Sequence, residues 1–256
     1  MRAIFISDLH LHERDAATQA RFDAFMRTDA LTADVLYVLG DLLHVWLGDA
    51  MLAGDAYACR IAAQFHALSE RGVKIFIARG NRDFMIGKAF TAACGATLLN
   101  EQTVIELGSR RTLLMHGDEL CTDDVRYQRA RRILRTDIFR VIGNALPRRW
   151  RLAIAAHIRK ESSAHKAATA MSIMDANAQA ITAAMRTQHV EILIHGHTHR
   201  PARHALAEGR DRWVLSDWQQ DFGYLIWDGD HFGIEPWPVS ENSPCTSGYN
   251  PEILGG

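Results

Sequence analysis

An α/β fold, with a site along one edge of a parallel sheet and a helical insertion that caps it, is predicted by three features of the sequence. Apolar runs of strand length alternate with segments of helical periodicity. Five such runs are closely followed by polar clusters: Ala3-Ile4-Phe5-Ile6 by Ser7-Asp8-Leu9-His10, residues 35–39 by Gly40-Asp41, residues 74–78 by Gly80-Asn81-Arg82-Asp83, residues 112–115 by His116-Gly117-Asp118, and residues 191–194 by His195-Gly196-His197-Thr198-His199. The C-terminal ends of strands are where α/β sheets build their sites. The third feature is a long helical stretch between the fourth and fifth clusters.

In chain order, Asp8 and His10 stand two positions apart at the end of a buried strand, a spacing that points both side chains the same way and lets them grip one ion. Phe22, Phe25 and Met26 have helical spacing, and residues 31–34 lead into the second strand. A helix over about 55–70 buries Ile61, Phe65 and Leu68 and stops at Arg71-Gly72. Joined by such crossovers, the strands pair in parallel. A short helix near 87–93 precedes strands at 103–107 and 111–115, with Gly108-Ser109 as a hairpin turn.

Residues 123–186 read as almost wholly helical, with three apolar stripes: Leu134, Ile138, Val141 and Ile142; Trp150, Ile154 and Ile158; Met171, Met174, Ala178, Ile181 and Met185. Short strands return at 213–215, 224–227 and 232–234, with Asp228-Gly229-Asp230 as a turn. They are expected to form a second, antiparallel sheet packed on the first. The domain reading is therefore a core of residues 1–120 and 187–239, a cap of 121–186 and a polar tail of 240–256 expected to be mobile.

The length of 256 residues allows one sizeable core, and 48 % apolar with 23 % charged residues is an ordinary globular balance. A formal net charge of -1 excludes a chain that is basic overall. Charge is nonetheless uneven: between Asp123 and Lys166 twelve basic residues (Arg126, Arg129, Arg131, Arg132, Arg135, Arg140, Arg148, Arg149, Arg151, Arg159, Lys160, Lys166) face four acidic ones. Cys59, Cys94, Cys121 and Cys245 show no CxxC spacing and no secretory leader precedes them, so reduced thiols in the cytoplasm are expected. No apolar run approaches the ~18–20 residues that span a bilayer; membrane contact would be peripheral.

The candidate ligands are Asp8, His10, Asp41, Asn81, His116, His197 and His199. Carboxylate, amide and imidazole without thiolate favour Mn, Fe or Zn over Ca. Seven ligands are too many for one such ion with an open position. Two ions sharing Asp41 solve this: Asp8, His10, Asp41 and His199 hold one, and Asp41, Asn81, His116 and His197 the other. A water between two dications ionises near neutral pH and can attack a phosphate ester or anhydride. Any one cluster alone carries little weight, but all five in order, each behind an apolar run, outweigh a chance arrangement. His12, His44, His66, His157, His165, His189, His204 and His231 lack such placement and read as ordinary, while His195 is expected to support the ligands from behind.

Together DLH, GD, GNRD, HGD and GHTH, spanning positions 8 to 199, resemble the signature of the calcineurin-like dinuclear metallophosphoesterases. That resemblance implies an αββα two-sheet sandwich with those seven residues as ligands. ISDLHL, LGDL, GNRDF, MHGDELCTDD, IMDAN and IHGHTHRPA are most similar to the branch of the family that acts in lipid A synthesis. Membership of that branch implies hydrolysis of the pyrophosphate bond of UDP-2,3-diacylglucosamine to UMP and lipid X with two Mn ions. It also implies substrate contacts at Asn81, Arg82, Asp124, Ser162, Lys166 and His197, and a place on the cytoplasmic face of the inner membrane.

Two arguments from the residues favour this substrate. Many relatives carry GNHD, whose His can protonate an alkoxide leaving group, whereas Arg82 stands here. Arginine cannot give up a proton but holds phosphate oxygens bidentately, and a phosphate leaving group, with second pKa about 6, needs no acid. Second, each methylene moved from water into protein gains about 0.8 kcal/mol, yet an acyl chain drawn from a bilayer is already in apolar surroundings, so it needs an apolar cleft to break even. Leu134, Ile138, Phe139, Val141, Ile142, Trp150 and Ile154 could line one, with the arginines against anionic lipid. A soluble nucleotide pyrophosphatase or dinucleoside polyphosphate hydrolase would need no cleft. A nuclease would use the arginines on nucleic acid, but few aromatics interleave them for base stacking, and no nucleic acid is expected. A scaffold without catalysis fits poorly with an intact ligand set, and a monomer is expected.

Overall fold

Residues 1–136, 175–218 and 223–236 are described by the computed structural model, together with Phe139, Val141, Pro147, Trp150 and Ala153. Ala3–Ile6 is buried on both faces and forms β1 at the centre of the first sheet. It pairs in parallel with β2 (Val35–Leu39), which pairs in parallel with β3 (Lys74–Ala78) and that with β4 (Ala96–Leu98). Between them run α1 (Ala16–Arg27), α2 (Ala56–Ser69) and α3 (Lys88–Ala93). Asp15 and Asp55 start the first two by accepting the amides of Thr18 and Ala58, the exposed donors of a first helical turn.

The second sheet begins with the hairpin of β5 (Gln102–Leu107) and β6 (Arg110–Met115). After α4 (Val125–Leu134) and α5 (Ala178–Thr187), β7 (Ile192–His195) joins β6 in parallel. The strands β8 (Ala202–Ala205) and β9 (Asp211–Val214) follow as an antiparallel pair. The chain then returns to the first sheet as β10 (Tyr224–Trp227) and β11 (Phe232–Glu235). Strand order is β11-β10-β1-β2-β3-β4 in one sheet and β5-β6-β7-β9-β8 in the other.

Side-chain alternation along the strands produces the layers. Ile4, Ile6, Leu36, Val38, Ile75 and Ile77 face α1 and α2, where Phe22, Phe25, Ile61 and Phe65 cover them. Ala3, Phe5, Val35, Tyr37 and Leu39 face the other way, against Leu114, Ile192, Ile194 and Trp213 of the second sheet. That sheet in turn packs Leu113, Met115 and Leu193 against Ile181 and Met185 of α5. The αββα sandwich is thus present, with the ends of β1, β2, β3, β6 and β7 meeting along one edge.

Two expectations are corrected. The C-terminal strands do not build a separate antiparallel sheet: β9 lies parallel to β7, and β10 runs antiparallel to β1. Their apolar residues serve either sheet equally well, because Trp213, Leu225 and Trp227 all enter the same layer between the sheets; only long-range pairing decides. The strand β4 was not anticipated, being three residues long behind a turn at Gly95. The tail of 240–256 and most of the cap stripes lie outside the described residues. Among the described residues, Cys59, Cys94 and Cys121 are free.

Candidate metal centre

All seven candidate ligands meet where the five strands end. Oδ1 of Asp8 lies 3.3 Å from Nε2 of His199, and the rings of His10 and His199 are 5.4 Å apart. Oδ1 of Asn81 lies 3.0 Å from Nε2 of His116 and 3.1 Å from Nδ1 of His197. Asp41 joins the two halves, with Oδ2 at 3.7 Å from Nδ1 of His10 and Oδ1 at 3.8 Å from Nε2 of His116. Asp8, His10 and His199 make one compact donor group and Asp8, Asp41 and His116 a second. Asp8 therefore sits near the seam as well.

The local backbone explains how short turns bring so many donors together. Asp8, His10, Asp41, His197 and His199 all adopt left-handed conformations, with φ of 54°, 49°, 53°, 68° and 53°. Each such residue costs ~1–3 kcal/mol and persists only where its surroundings demand it. Asp8 and His10 therefore converge by sharp turning after β1, not by strand alternation as the sequence suggested. Glycines permit the crowding: a Cβ on Gly80 would overlap Oδ1 of Asp41, and one on Gly196 would overlap the side chains of Asp8 and Ser7.

Electrostatics fit a cation at this position. Both ring nitrogens of His10 are buried with no hydrogen-bond partner among the described residues, a costly state that a cation on the lone pair of one of them would relieve. Burial pushes His10 down to about 4 against the pull of Asp41 and Asp8. Burial, and then the nearby His116, push His197 down to about 4. Both rings are therefore neutral donors. Burial opposes charge on Asp8 too, but the hydrogen bond to His199 and the surrounding imidazoles hold its carboxyl well below the usual range. His199 is also disfavoured by burial, yet its bonds to Asp217 and Asp8 push it up to about 10.

A set of buried partners holds the candidate ligands in place. Asp83 accepts the amides of Gly80 (2.6 Å), Leu42 (2.7 Å) and Asp41 (3.3 Å), locking the turns after β2 and β3 together. Burial and the charge of Asp41 push its carboxyl up to about 6. Ser7 donates to Oδ2 of Asp8 at 2.6 Å, and the amide of His197 donates to the same oxygen at 2.8 Å. Nδ1 of His116 donates to the carbonyl of Leu39 at 2.9 Å, which leaves Nε2 facing the site. Asp217, 2.8 Å from Nδ1 of His199, was not anticipated from sequence. The signal was there: Leu215-Ser216-Asp217 follows β9 in the same strand-then-ligand pattern.

Arg82 stands at the rim. Its amide donates to Oδ1 of Asp41 at 2.8 Å, and its guanidinium lies 3.7 Å from Oδ2 of Asp41. His44, expected to be ordinary, lies with Nδ1 3.5 Å from the Arg82 guanidinium and its ring 5.3 Å from that of His12. The parallel bridge of Leu11 to Leu43 carries both histidines to the same edge. His195 is buried behind the site, with Nδ1 bonded to the carbonyl of Gly196 at 2.8 Å. Asp124 caps α4 by accepting the amide of Tyr127 at 3.0 Å. Ser162 and Lys166 lie outside the described residues.

The basic stretch is not uniformly outward. Arg131 and Arg135 turn inward onto Oδ2 of Asp118, at 2.8 and 3.0 Å, and both also pair with Glu101. Tyr127 donates to the same oxygen at 2.7 Å and its ring lies 6.2 Å from that of His197. Despite burial, Arg135, His116 and Arg131 hold the Asp118 carboxyl far below the usual range. The expectation that these two arginines face lipid is therefore corrected: they root α4 beside His116. Arg126, Arg129 and Arg132 remain exposed, as do the apolar Val125, Ile133, Val141 and Trp150. Of the proposed cleft residues, Leu134 and Phe139 pack against the first core, the latter 6.1 Å from the ring of Phe84, while Ile138, Ile142 and Ile154 lie outside the described residues. Among the described residues, no helix is long and apolar enough to cross a membrane.

Comparison with known proteins agrees with this geometry. Residues 1–201, from β1 through His197 and His199, match the model of the calcineurin-like phosphoesterases. A UDP-2,3-diacylglucosamine hydrolase of Serratia proteamaculans is 45 % identical over 224 residues, covering 85 % of this chain and 91 % of that one. Proteins of the same name from Nitrosococcus oceani (43 %, covering 86 % and 88 %) and Escherichia coli (42 %, covering 86 % and 92 %) are similar throughout. Family match, strand topology and the converging donors agree, and the chain belongs to the calcineurin-like phosphoesterases.

Proposed function

We propose that the chain hydrolyses the pyrophosphate bond of UDP-2,3-diacylglucosamine, releasing UMP and 2,3-diacylglucosamine 1-phosphate. The observation that carries this reading is identity of 42–45 % to hydrolases of that name over most of both chains. Its chemistry is supported by the donor set: Asp8, His10, Asp41 and His199 would hold one ion and Asp41, Asn81, His116 and His197 the other, with Mn the choice the branch implies. Ions bound there would supply Lewis-acid stabilisation of phosphate oxygens and a lowered pKa for water.

The protein's own contribution is placement. Arg82 at the rim offers a planar fork for the pyrophosphate oxygens and cannot act as an acid, which suits a phosphate leaving group. Asn81 and His197, 3.1 Å apart, are the further substrate contacts of the core in this reading. Asp124, Ser162 and Lys166 are the cap contacts in this reading, with residues 121–186 as the cap over a core of 1–120 and 187–239. The exposed arginines and apolar residues of the cap would rest on the anionic cytoplasmic face of the inner membrane, and the chain would act as a monomer.

Product analysis in labelled water tests the reaction. Purified protein with Mn and the diacylated UDP-sugar should yield UMP and the lipid 1-phosphate, with label in one of them. Equal turnover of soluble UDP-sugars would instead favour a nucleotide pyrophosphatase.

A further inference from the structure

Asp217 follows β9 as the ligand clusters follow their own strands, and its loop is fastened to the metal centre from two sides. The amide of Leu215 donates to the carbonyl of His195 at 2.7 Å, and that of Trp218 to the carbonyl of Asp8 at 3.4 Å. The Trp218 ring is fully buried, 6.0 Å from the ring of Phe22 and 5.3 Å from that of Phe25. A carboxylate carried on so fixed a loop has little freedom to move. Its Oδ2 lies 2.8 Å from Nδ1 of His199. A carboxylate only accepts, so Nδ1 keeps its proton against Asp217, and Nε2, facing Asp8 at 3.3 Å, is the nitrogen that would give up its proton to a cation. The other half of the site is built differently. There Nδ1 of His116 donates to a neutral acceptor, the carbonyl of Leu39.

We propose that Asp217 is a positioning residue that fixes the orientation and strengthens the donor nitrogen of His199, so that the ion held by Asp8, His10, Asp41 and His199 binds more tightly than the ion beside it. A carboxylate behind a metal-binding histidine raises its basicity, and losing such a partner costs ~10–100-fold in metal affinity. The inference rests on the two-ion reading above and adds an inequality between the two positions.

Titration of the chelator-treated full chain with Mn(II), read by the electron paramagnetic resonance of free Mn, tests it. Wild type should bind two ions in two steps. Asp217→Asn, which keeps the shape and removes the charge, and Asp217→Ala should each weaken the tighter step by ~10-fold or more and leave the other unchanged. Metal-free Asp217→Asn should melt somewhat below wild type, because it loses the charge paired with His199, so the discriminating readout is which binding step weakens. Equal weakening of both steps, which a purely structural role would produce, or weakening of neither, overturns the proposal. Fewer than two ions on wild type would overturn the two-ion reading instead.

Discussion

Nε2 of His116 lies 3.8 Å from Oδ1 of Asp41, while the second oxygen of that carboxylate faces Nδ1 of His10 at 3.7 Å. One buried side chain thus addresses both halves of the site, and removing it should disable both. Asp41→Ala is expected to lose both ions and to lower turnover by ~1,000-fold, the equivalent of ~4 kcal/mol of transition-state stabilisation. Metal analysis beside steady-state kinetics checks this; a variant that keeps two ions and full turnover contradicts it.

Arg82 touches Asp41 only at the rim, so its loss should spare the metals. Arg82→Ala removes charge-assisted hydrogen bonds to substrate worth ~1.5–3 kcal/mol, and kcat/KM should fall by ~10–100-fold at unchanged metal content. Equal loss of metal would show that the guanidinium shapes the centre instead of holding substrate.

Metal removal should cost stability as well as activity, because five of the candidate ligands hold left-handed backbone and the ring nitrogens of His10 have no hydrogen-bond partner among the described residues. An ion that binds only the folded chain adds ~2.7 kcal/mol at a hundredfold excess over its Kd, or ~5–10 °C in melting temperature for a chain of this size. Thermal unfolding with Mn and with chelator measures the difference. Identical curves would mean that the donors hold nothing.

Legibility in the sequence followed the range of the interactions. The convergence of the seven candidate ligands was readable because each sits just behind a strand, so apolar run and donor are neighbours in the chain. What depended on distant partners was not. Arg131 and Arg135 look like any outward basic residues until Asp118 and Glu101 are folded beneath them. Nothing in Trp213 or Leu225 distinguishes a strand of one sheet from a strand of the other. Asp217 has the same local signature as Asp41, but its role depends on His199, which folding brings to it from a different strand.

Asp118 anchors α4 through Tyr127, Arg131 and Arg135. Asp118→Asn leaves two largely buried guanidinium groups without that counter-charge and should cost ~3 kcal/mol, measured by denaturant unfolding. A change below ~0.5 kcal/mol, ordinary for a surface position, would mean that Glu101 alone suffices.

On the outward face of α4, Arg126, Arg129 and Arg132 are exposed. Each basic residue near an anionic surface contributes ~1 kcal/mol, so replacing all three by alanine should weaken sedimentation with anionic vesicles by ~100-fold at low salt. Unchanged partitioning would remove this helix from any membrane contact.

Anomalous scattering from Mn-soaked crystals most directly tests whether these side chains hold a pair of ions. Two peaks are predicted, roughly 3.5–4 Å apart, on either side of the Asp41 carboxylate, one against Asp8, His10 and His199 and the other against Asn81, His116 and His197. A single peak, or peaks away from these residues, would contradict the account.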